Sequence, residues 1–371
     1  MTIDFKTEVP PVVQPHQRQW PGRLLLAVAA AWLLFTVLQL LLSGNWALWT
    51  LVDLLPPLLF LLVPVVLLLA IPFKMPWWTR AAVGAIAVVA LALGAGQAGV
   101  NWSALFGGGD GPAPAGAIKV VSWDTLMWDQ TDDPNHFYAY LKAQHADVYV
   151  LQEHVEGVTN HLVPIDDTAR LLATFPGYHV ATAGELLTLS RFPITAQIPL
   201  ATSATPPADV TYTAWLDFWR YRILRTDIDL GGHTMSLYNL DLPDVFDLDL
   251  NPLGPRFYNT VNELSDSRET QFQALHADLA NNTNPAVVTG VTNTLPDMGQ
   301  RHWFAGLSDA ARAGGPIYPT TLTFNGMSLW RMDWTLTTST VRLHAYDLVD
   351  PQGMSSHQLQ SFVVSLAGEE R

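Results

Sequence analysis

Two short apolar runs decide the fold of this chain: IKVVSWDTL at residues 118–126 and DVYVLQE at residues 147–153, with PNHFYAYLKAQHA at residues 134–146 between them. Each run is bounded by polar residues and rich in Val, Ile and Leu, which predicts a buried strand. The intervening segment places Phe137, Tyr138 and Leu141 at helical spacing, which predicts a helix. The chain therefore contains an α/β unit that begins at Ile118.

Further strands follow this unit. Predicted strands lie at 188–194, 212–219, 222–230, 233–242, 285–290, 332–338, 341–349 and 361–366. One long helix is expected at about 269–280. Many strands with few crossover helices indicate two packed sheets. Residues 118–371 are thus predicted to form one domain of two mixed sheets flanked by helices.

The sequence before this domain is almost free of charge. Three runs without Asp, Glu, Lys or Arg, at 24–52, 54–73 and 81–100, are each long enough for the roughly 20 apolar residues that a membrane helix needs, and they place the predicted spans at about 24–43, 51–72 and 81–101. We therefore expect a bundle of three transmembrane helices over 24–103, although core helices of a soluble protein are the alternative. Residues 104–117 contain FGGGDGPAPAG and predict a linker without fixed structure.

Basic residues flank the predicted spans on one side only. Lys6, Arg18 and Arg23 precede the first span, and Lys74 and Arg80 separate the second from the third. Because cytoplasmic loops are enriched in Lys and Arg, residues 1–23 are expected in the cytoplasm and the domain outside it. The predicted location is the cell membrane, in a multi-pass arrangement with the lipid bilayer as the first partner.

Charge argues against a nucleic-acid partner. Removing the five basic and four acidic residues before Ile118 from the chain totals leaves 14 Lys and Arg against 29 Asp and Glu, a net charge of −15. Phosphate neutralisation dominates nucleic-acid affinity, so this domain repels polyanions. A membrane protein, or a phosphorylated lipid or small molecule, is the expected class of partner.

The order of several short motifs carries a resemblance. The succession VVSWDTL, ADVYVLQEH, LLTLSRFPI, SLYNLDLPD, RETQFQALHADL, AVVTGVTNT, RMDWTLTT and SSHQLQSFVVSL resembles the endonuclease/exonuclease/phosphatase superfamily. The match covers essentially all of residues 118–366. The resemblance implies a deoxyribonuclease-I-like four-layer sandwich and metal-dependent phosphoester hydrolysis with Mg²⁺ or Mn²⁺, where the site is active.

Four residues keep the motif identity of that superfamily. The resemblance makes Glu153 the metal carboxylate, Asn293 an orienter of phosphate or water, Asp333 a supporting acid and His357 the terminal histidine. Arg191 is a candidate phosphate-binding residue. Each has an ordinary alternative: Glu153 and Asp333 as structural partners of a neighbour, Asn293 as a turn residue, and Arg191 as a brace of its strand end.

Four other motif positions are changed. Asp124 replaces an asparagine and can still ligate a cation together with Glu153. Asp241 replaces a histidine and is expected to repel a phosphate, while Val291 replaces the aspartate that orients water. Ser356 replaces the aspartate before the terminal histidine, so His357 is expected to lack a carboxylate partner and to be less often protonated.

These changes leave three functions open. The first is a catalytically impaired domain that acts as a binding or structural partner in a membrane assembly. The second is an active phosphatase or phosphodiesterase with a rearranged site built on Asp124, Glu153 and Asp241. The third is a receptor that binds a phosphorylated ligand without turnover, through Arg191, Asn293 and His357.

Overall fold

The computed structural model describes residues 20–71, 75–128, 133–158, 161–202 and 216–368. The basic residues Lys6, Arg18 and Lys74, on which the predicted orientation partly depends, lie outside this range, as does most of the predicted cytoplasmic segment 1–23.

Four helices precede the domain: α1 Trp20–Leu42, α2 Thr50–Asp53, α3 Leu59–Leu69 and α4 Trp77–Gly94. Among the described residues, α1 and α4 are long and apolar enough to cross a membrane. The second predicted span is instead divided into α2 and α3, and the 11 residues of α3 measure only about 16 Å. Pro56 and Pro57 lie in the interruption, where their missing N–H groups and fixed rings prevent a continuous helix.

The domain contains 16 strands and four helices within the described residues. In chain order they are β1 Ile118–Asp124, α5 Pro134–Ala143, β2 Val148–Gln152, β3 Val155–Val158, β4 His161–Pro164, α6 Thr168–Thr174, β5 His179–Ala183, β6 Leu186–Ser190, β7 Ile194–Pro199, α7 Leu216–Arg220, β8 Ile223–Asp229, β9 Thr234–Asp241, α8 Pro255–Asn281, β10 Ala286–Val291, β11 Ser308–Asp309, β12 Leu322–Phe324, β13 Met327–Trp330, β14 Asp333–Thr337, β15 Val341–Val349 and β16 Leu359–Leu366.

Two six-stranded mixed sheets form the centre of the domain. Their strand orders are β15-β16-β1-β2-β6-β5 and β11-β14-β10-β9-β8-β7. Val120 and Val150 of the first sheet pack with Leu237 and Val287 of the second in one buried cluster. Helix α5 packs through Phe137 on the outer face of the first sheet. Helix α8 covers the second sheet, so the described part of the domain has the predicted sandwich of two sheets with helices outside.

Two pairs of parallel strands position the residues of the candidate site at their carboxyl ends. Asp124 pairs with Gln152 where β1 and β2 end, and Asp241 pairs with Val291 where β9 and β10 end. The carboxyl ends of parallel strands lie at one edge of their sheet, and ligands in α/β proteins commonly bind there. Asp124, Asp241 and Val291 line one cavity between these edges, together with Glu153 directly after β2.

Three predicted elements differ in the structure. Residues 216–220 of the predicted strand 212–219 form helix α7, and residues 212–215 lie outside the described range. Helix α8 begins 14 residues before the predicted 269. The predicted strand 188–194 is two strands, β6 and β7, because Pro193 in the turn between them has no N–H to donate to a ladder.

The predicted linker is attached to the domain. The Asp110 N–H donates to the Leu343 carbonyl at 2.8 Å, and the Asp110 carboxylate accepts from the Leu343 N–H at 2.9 Å. Residues 107–117 form no helix or strand, but these two bonds hold them along β15. The expectation of a free linker is therefore wrong at Asp110, whose side chain supplies the second bond.

The apolar helices contact the domain directly. Gln39 donates to an Asp53 carboxylate oxygen at 2.6 Å and to the Asp297 carbonyl of the domain at 3.1 Å. Ser43 accepts from the Gly299 N–H at 2.8 Å. The Trp330 indole donates to the Leu54 carbonyl at 2.9 Å, and Leu54 lines the same cavity as Asp124. The end of the first helical hairpin is therefore part of the wall of the site.

Candidate functional site

The candidate site is a cavity of about 540 Å³ at the strand ends. Its floor carries charged groups, among them Asp124, Glu153, Asp241 and His357, while apolar residues such as Phe324 and Trp330 form its walls. A volume of this size is typical of a small-molecule site, in which a few polar groups orient a ligand between apolar walls.

Asp124 and Glu153 form the acidic corner of the floor. One Asp124 oxygen accepts from the Leu126 N–H at 2.9 Å, and one Glu153 oxygen accepts from the Met127 N–H at 2.6 Å. Glu153 itself has a φ of +55°, a left-handed backbone conformation that is uncommon for this residue type. The pKa of Asp124 is raised to about 7 by burial, and burial also raises the pKa of Glu153 well above its usual value. Burial therefore makes it costly to keep both carboxylates of this corner ionised.

His357 has a carboxylate partner, contrary to the expectation from Ser356. The His357 Nδ1 lies 3.0 Å from both oxygens of Asp333, and Nε2 lies 3.8 Å from Asp124. Burial alone would lower the pKa of His357, but Asp333 and Asp124 outweigh it and raise the pKa to about 10. The imidazole is therefore protonated at neutral pH, and the expectation of a less often protonated histidine is wrong.

Asp241 pairs with an arginine. One of its oxygens lies 3.3 Å from Nη2 of the buried Arg222, which also pairs with the buried Glu185. The Arg222 guanidinium stacks over the Phe218 ring, 4.3 Å from its centroid. The repulsion expected from Asp241 is thus reduced only in part, because Arg222 stands beside it at the cavity wall but is shared with Glu185. Burial raises the pKa of Glu185 well above its usual value, although Arg222 opposes the shift.

Arg222 and Glu185 are the site residues that the sequence analysis missed. Arg222 directly precedes β8, and Glu185 lies in the turn between β5 and β6. Charged residues at the ends of buried apolar strands are a weak signal, since such residues are usually exposed. The two residues are 37 positions apart in the sequence, so no local motif indicates that they pair.

Val291 and Asn293 follow one another at the end of β10. The Val291 side chain is only 2 % exposed and adds an apolar surface beside Asp241. Asn293 has a φ of +48°, and its amide donates to the Leu242 carbonyl at 2.9 Å and to Asp244 at 3.1 Å. Asn293 lines the cavity, but its donors hold the loop after β9, as in the alternative of a turn residue.

Arg191 lies away from the cavity. It follows β6, whose Ser190 pairs with Val148 at the beginning of β2, so it is at the sheet edge opposite to Glu153. Its guanidinium, more than half exposed, binds Asp147 at 2.9 Å. Because β6 runs antiparallel to β2, its end cannot approach the carboxyl end of β2, and the structure does not bring Arg191 to the other predicted site residues.

A divalent cation would depend on the Asp124 and Glu153 pair. Within the described ranges, no group of three or more His, Asp or Glu side chains is arranged to hold a metal ion. Mg²⁺ is nevertheless often held by one or two carboxylates with water completing its shell. Burial is the main cause of the raised pKa of both carboxyls, and Asp241 adds to it, so a bound cation would favour their charged forms. The donor chemistry of this corner therefore fits a hard divalent cation.

Comparison with known proteins gives structural likenesses only. No protein-family model and no curated protein sequence matches the chain. Among solved structures, the endonuclease/exonuclease/phosphatase from Beutenbergia cavernae is similar, with a TM-score of 0.49 and 16 % identity over 67 % of this chain and 72 % of that one. Beta toxin from Staphylococcus aureus gives a TM-score of 0.47 and 12 % identity, over 66 % of this chain and 99 % of that chain. The human Nocturnin catalytic domain gives a TM-score of 0.43 and 15 % identity, over 68 % of this chain and 96 % of that chain. The first of these carries the name of the superfamily that the motif order predicts.

Proposed function

We propose that the chain is a membrane-anchored member of the endonuclease/exonuclease/phosphatase superfamily whose domain lies outside the cytoplasm and binds a partner or ligand without the hydrolysis typical of that superfamily. Helices α1 and α4, and the direct contacts of the helix ends with the domain, support the anchoring. The partner is a membrane protein or a phosphorylated lipid or small molecule, since the domain charge disfavours nucleic acid.

The main evidence for the proposed loss of hydrolysis is the residue at position 291. A buried valine stands at the position where the resemblance expects an aspartate, and it can neither accept a proton nor orient water. General-base assistance contributes about 10²–10⁴-fold to rate, so its loss leaves little turnover. The neighbouring Asp241 does not substitute for it, because its carboxylate is paired with Arg222.

A phosphatase and phosphodiesterase screen of the full chain in detergent, with Mg²⁺ or Mn²⁺, tests this proposal. We expect no metal-dependent turnover. Turnover that is lost in Glu153→Gln and kept in Glu156→Gln, a matched change at an exposed position of β3, would contradict it.

The second candidate is an active phosphoesterase with a rearranged site. The pairing of His357 with Asp333 favours it, because this dyad keeps a cationic donor at the cavity that could protonate a leaving oxygen. Asp124 and Glu153 would hold the cation, and the cation would polarise a phosphoryl oxygen. A calorimetric titration of Mn²⁺ into the full chain separates the candidates: tight binding with turnover supports the enzyme, and binding without turnover supports the receptor.

A further inference from the structure

A segment without charged residues lies beside the cavity of the acidic domain. Residues 313–330 contain no Asp, Glu, Lys, Arg or His, although residues 118–371 carry 14 basic and 29 acidic residues. The segment includes β12 and β13, which pair as a hairpin closed by Asn325 and Gly326, both with positive φ. Asn-Gly is the preferred sequence of a tight hairpin turn, so the tip is well defined.

Both ends of this segment contact the ends of the apolar helices. The Asn101 N–H, shortly after α4, donates to the Ile317 carbonyl at 2.7 Å. The Trp330 indole donates to the Leu54 carbonyl, between α2 and α3, at 2.9 Å. The segment is therefore hydrogen-bonded before the hairpin to the chain after α4, and at the end of the hairpin to the chain after α2.

The uncharged segment exposes large apolar side chains, two of them in the hairpin. Ile317, Phe324 and Met327 are 51 %, 46 % and 50 % exposed. Phe324 and Met327 are paired across the tip, and Phe324 also lines the cavity. Leu55, next to the wall residue Leu54, is 44 % exposed as well. Apolar side chains grouped at such a surface mark a site of interaction with a membrane or a protein.

We propose that the β12–β13 hairpin inserts its tip, Phe324 and Met327, into the surface of the bilayer that holds α1 and α4, and so keeps the cavity mouth at the lipid. This inference rests on the proposed membrane anchoring. The lipid surface is the occupant because the segment is hydrogen-bonded to the chain just after α2 and α4 and carries no charged group that would need water. Apolar and aromatic side chains without neighbouring charge favour the interfacial layer.

Single-cysteine labelling tests the insertion, because the chain contains no cysteine. Nitroxide labels at Phe324→Cys and Met327→Cys of the full chain in phosphatidylcholine vesicles are compared for collision with oxygen, which concentrates in lipid, and with a water-soluble nickel complex. Leu34→Cys on the exposed side of α1 reports the anchoring. Leu172→Cys on α6, also an exposed apolar position, is the aqueous control.

We expect the two hairpin labels to favour oxygen as Leu34 does, and Leu172 to favour the nickel complex. Hairpin labels that behave like Leu172 while Leu34 favours oxygen would overturn the insertion and leave the anchoring intact. A Leu34 label that favours the nickel complex would overturn both. Hairpin labels shielded from both reagents would indicate a protein partner on the tip, which also overturns the proposal.

Discussion

His357, at the cavity, pairs with Asp333, with Nδ1 of the imidazole 3.0 Å from both carboxylate oxygens. Asp333 is the first residue of β14, in the second sheet, and His357 lies two residues before the start of β16 in the first. The contact therefore spans the two sheets and depends on the whole domain. It fixes the imidazole orientation and leaves Nε2 directed toward Asp124.

Replacing Asp333 is expected to lower the pKa of His357. Asp333→Asn removes the largest attraction on the imidazolium, so burial should move the pKa from about 10 toward or below the ordinary 6.5. NMR titration of the histidine side chains of the full chain measures the change. Asp347→Asn, at an exposed position of β15, is the matched control and should leave His357 unchanged. An unchanged pKa in Asp333→Asn would refute the assigned pairing.

Arg222 is expected to be essential for stability. Arg222→Met leaves Glu185 and Asp241 buried without their cation, which costs about 3–5 kcal/mol of the free energy of unfolding. Arg220→Met, two residues earlier and exposed, should cost little. Denaturant unfolding of the full chain in detergent measures both. Adding Glu185→Gln and Asp241→Asn to Arg222→Met should recover part of the loss, and a failure to do so would argue against charge imbalance as the cause.

The two-sheet fold could be predicted from the sequence because the patterns that indicate its strands and helices are local. The apolar runs at β1 and β2 and the helical spacing around Phe137 each lie within a few residues. The second predicted span was wrong as a single helix, since apolarity over 51–72 outweighed Pro56 and Pro57 in the prediction. Composition thus predicted the apolar region better than its division into helices.

The candidate site could be predicted only in part, because its paired side chains come from positions far apart in the sequence. Asp124, Glu153, Asp241 and His357 were found through motif order, and the structure brings them to one cavity. The partners that set their charge were not found: Arg222 beside Asp241, and Asp333 as the carboxylate of His357. Each partner is separated from its residue by many positions: the pairing of β8 with β9 brings Arg222 to Asp241, and the packing of the two sheets brings Asp333 to His357.

The exit from α4 provides a test of how tightly the helices are joined to the domain. Gly99 has a φ of +70°, and a Cβ there would lie 2.8 Å from Pro296 Cγ. Gly99→Ala is therefore expected to lower the free energy of unfolding by about 1–3 kcal/mol through backbone strain and this contact. Gly96→Ala is the control, since a Cβ at Gly96 meets no atom within 4 Å. Thermal unfolding in detergent compares the two, and equal midpoints would contradict the tight junction.

Asp309 is expected to give the domain an acid-sensitive component of stability. Its carboxylate accepts two hydrogen bonds from Arg331, at 2.6 and 2.7 Å, and Arg331 lies 3.8 Å from the Trp334 ring centroid. Burial would raise the pKa of Asp309, but Arg331 outweighs it and holds the pKa below the ordinary 3.8. Because the pKa is lowered in the folded state, the pair stabilises the fold fully at a pH above the unfolded-state pKa. This contribution is lost as the pH falls through the folded-state pKa.

Asp309→Asn should therefore cost about 3 kcal/mol at neutral pH and progressively less below pH 3.8, measured by denaturant unfolding across pH. Asp266→Asn, at an exposed position of α8, should cost little, and a cost of Asp309→Asn that stays constant into acid would show that the lost ion pair is not its source.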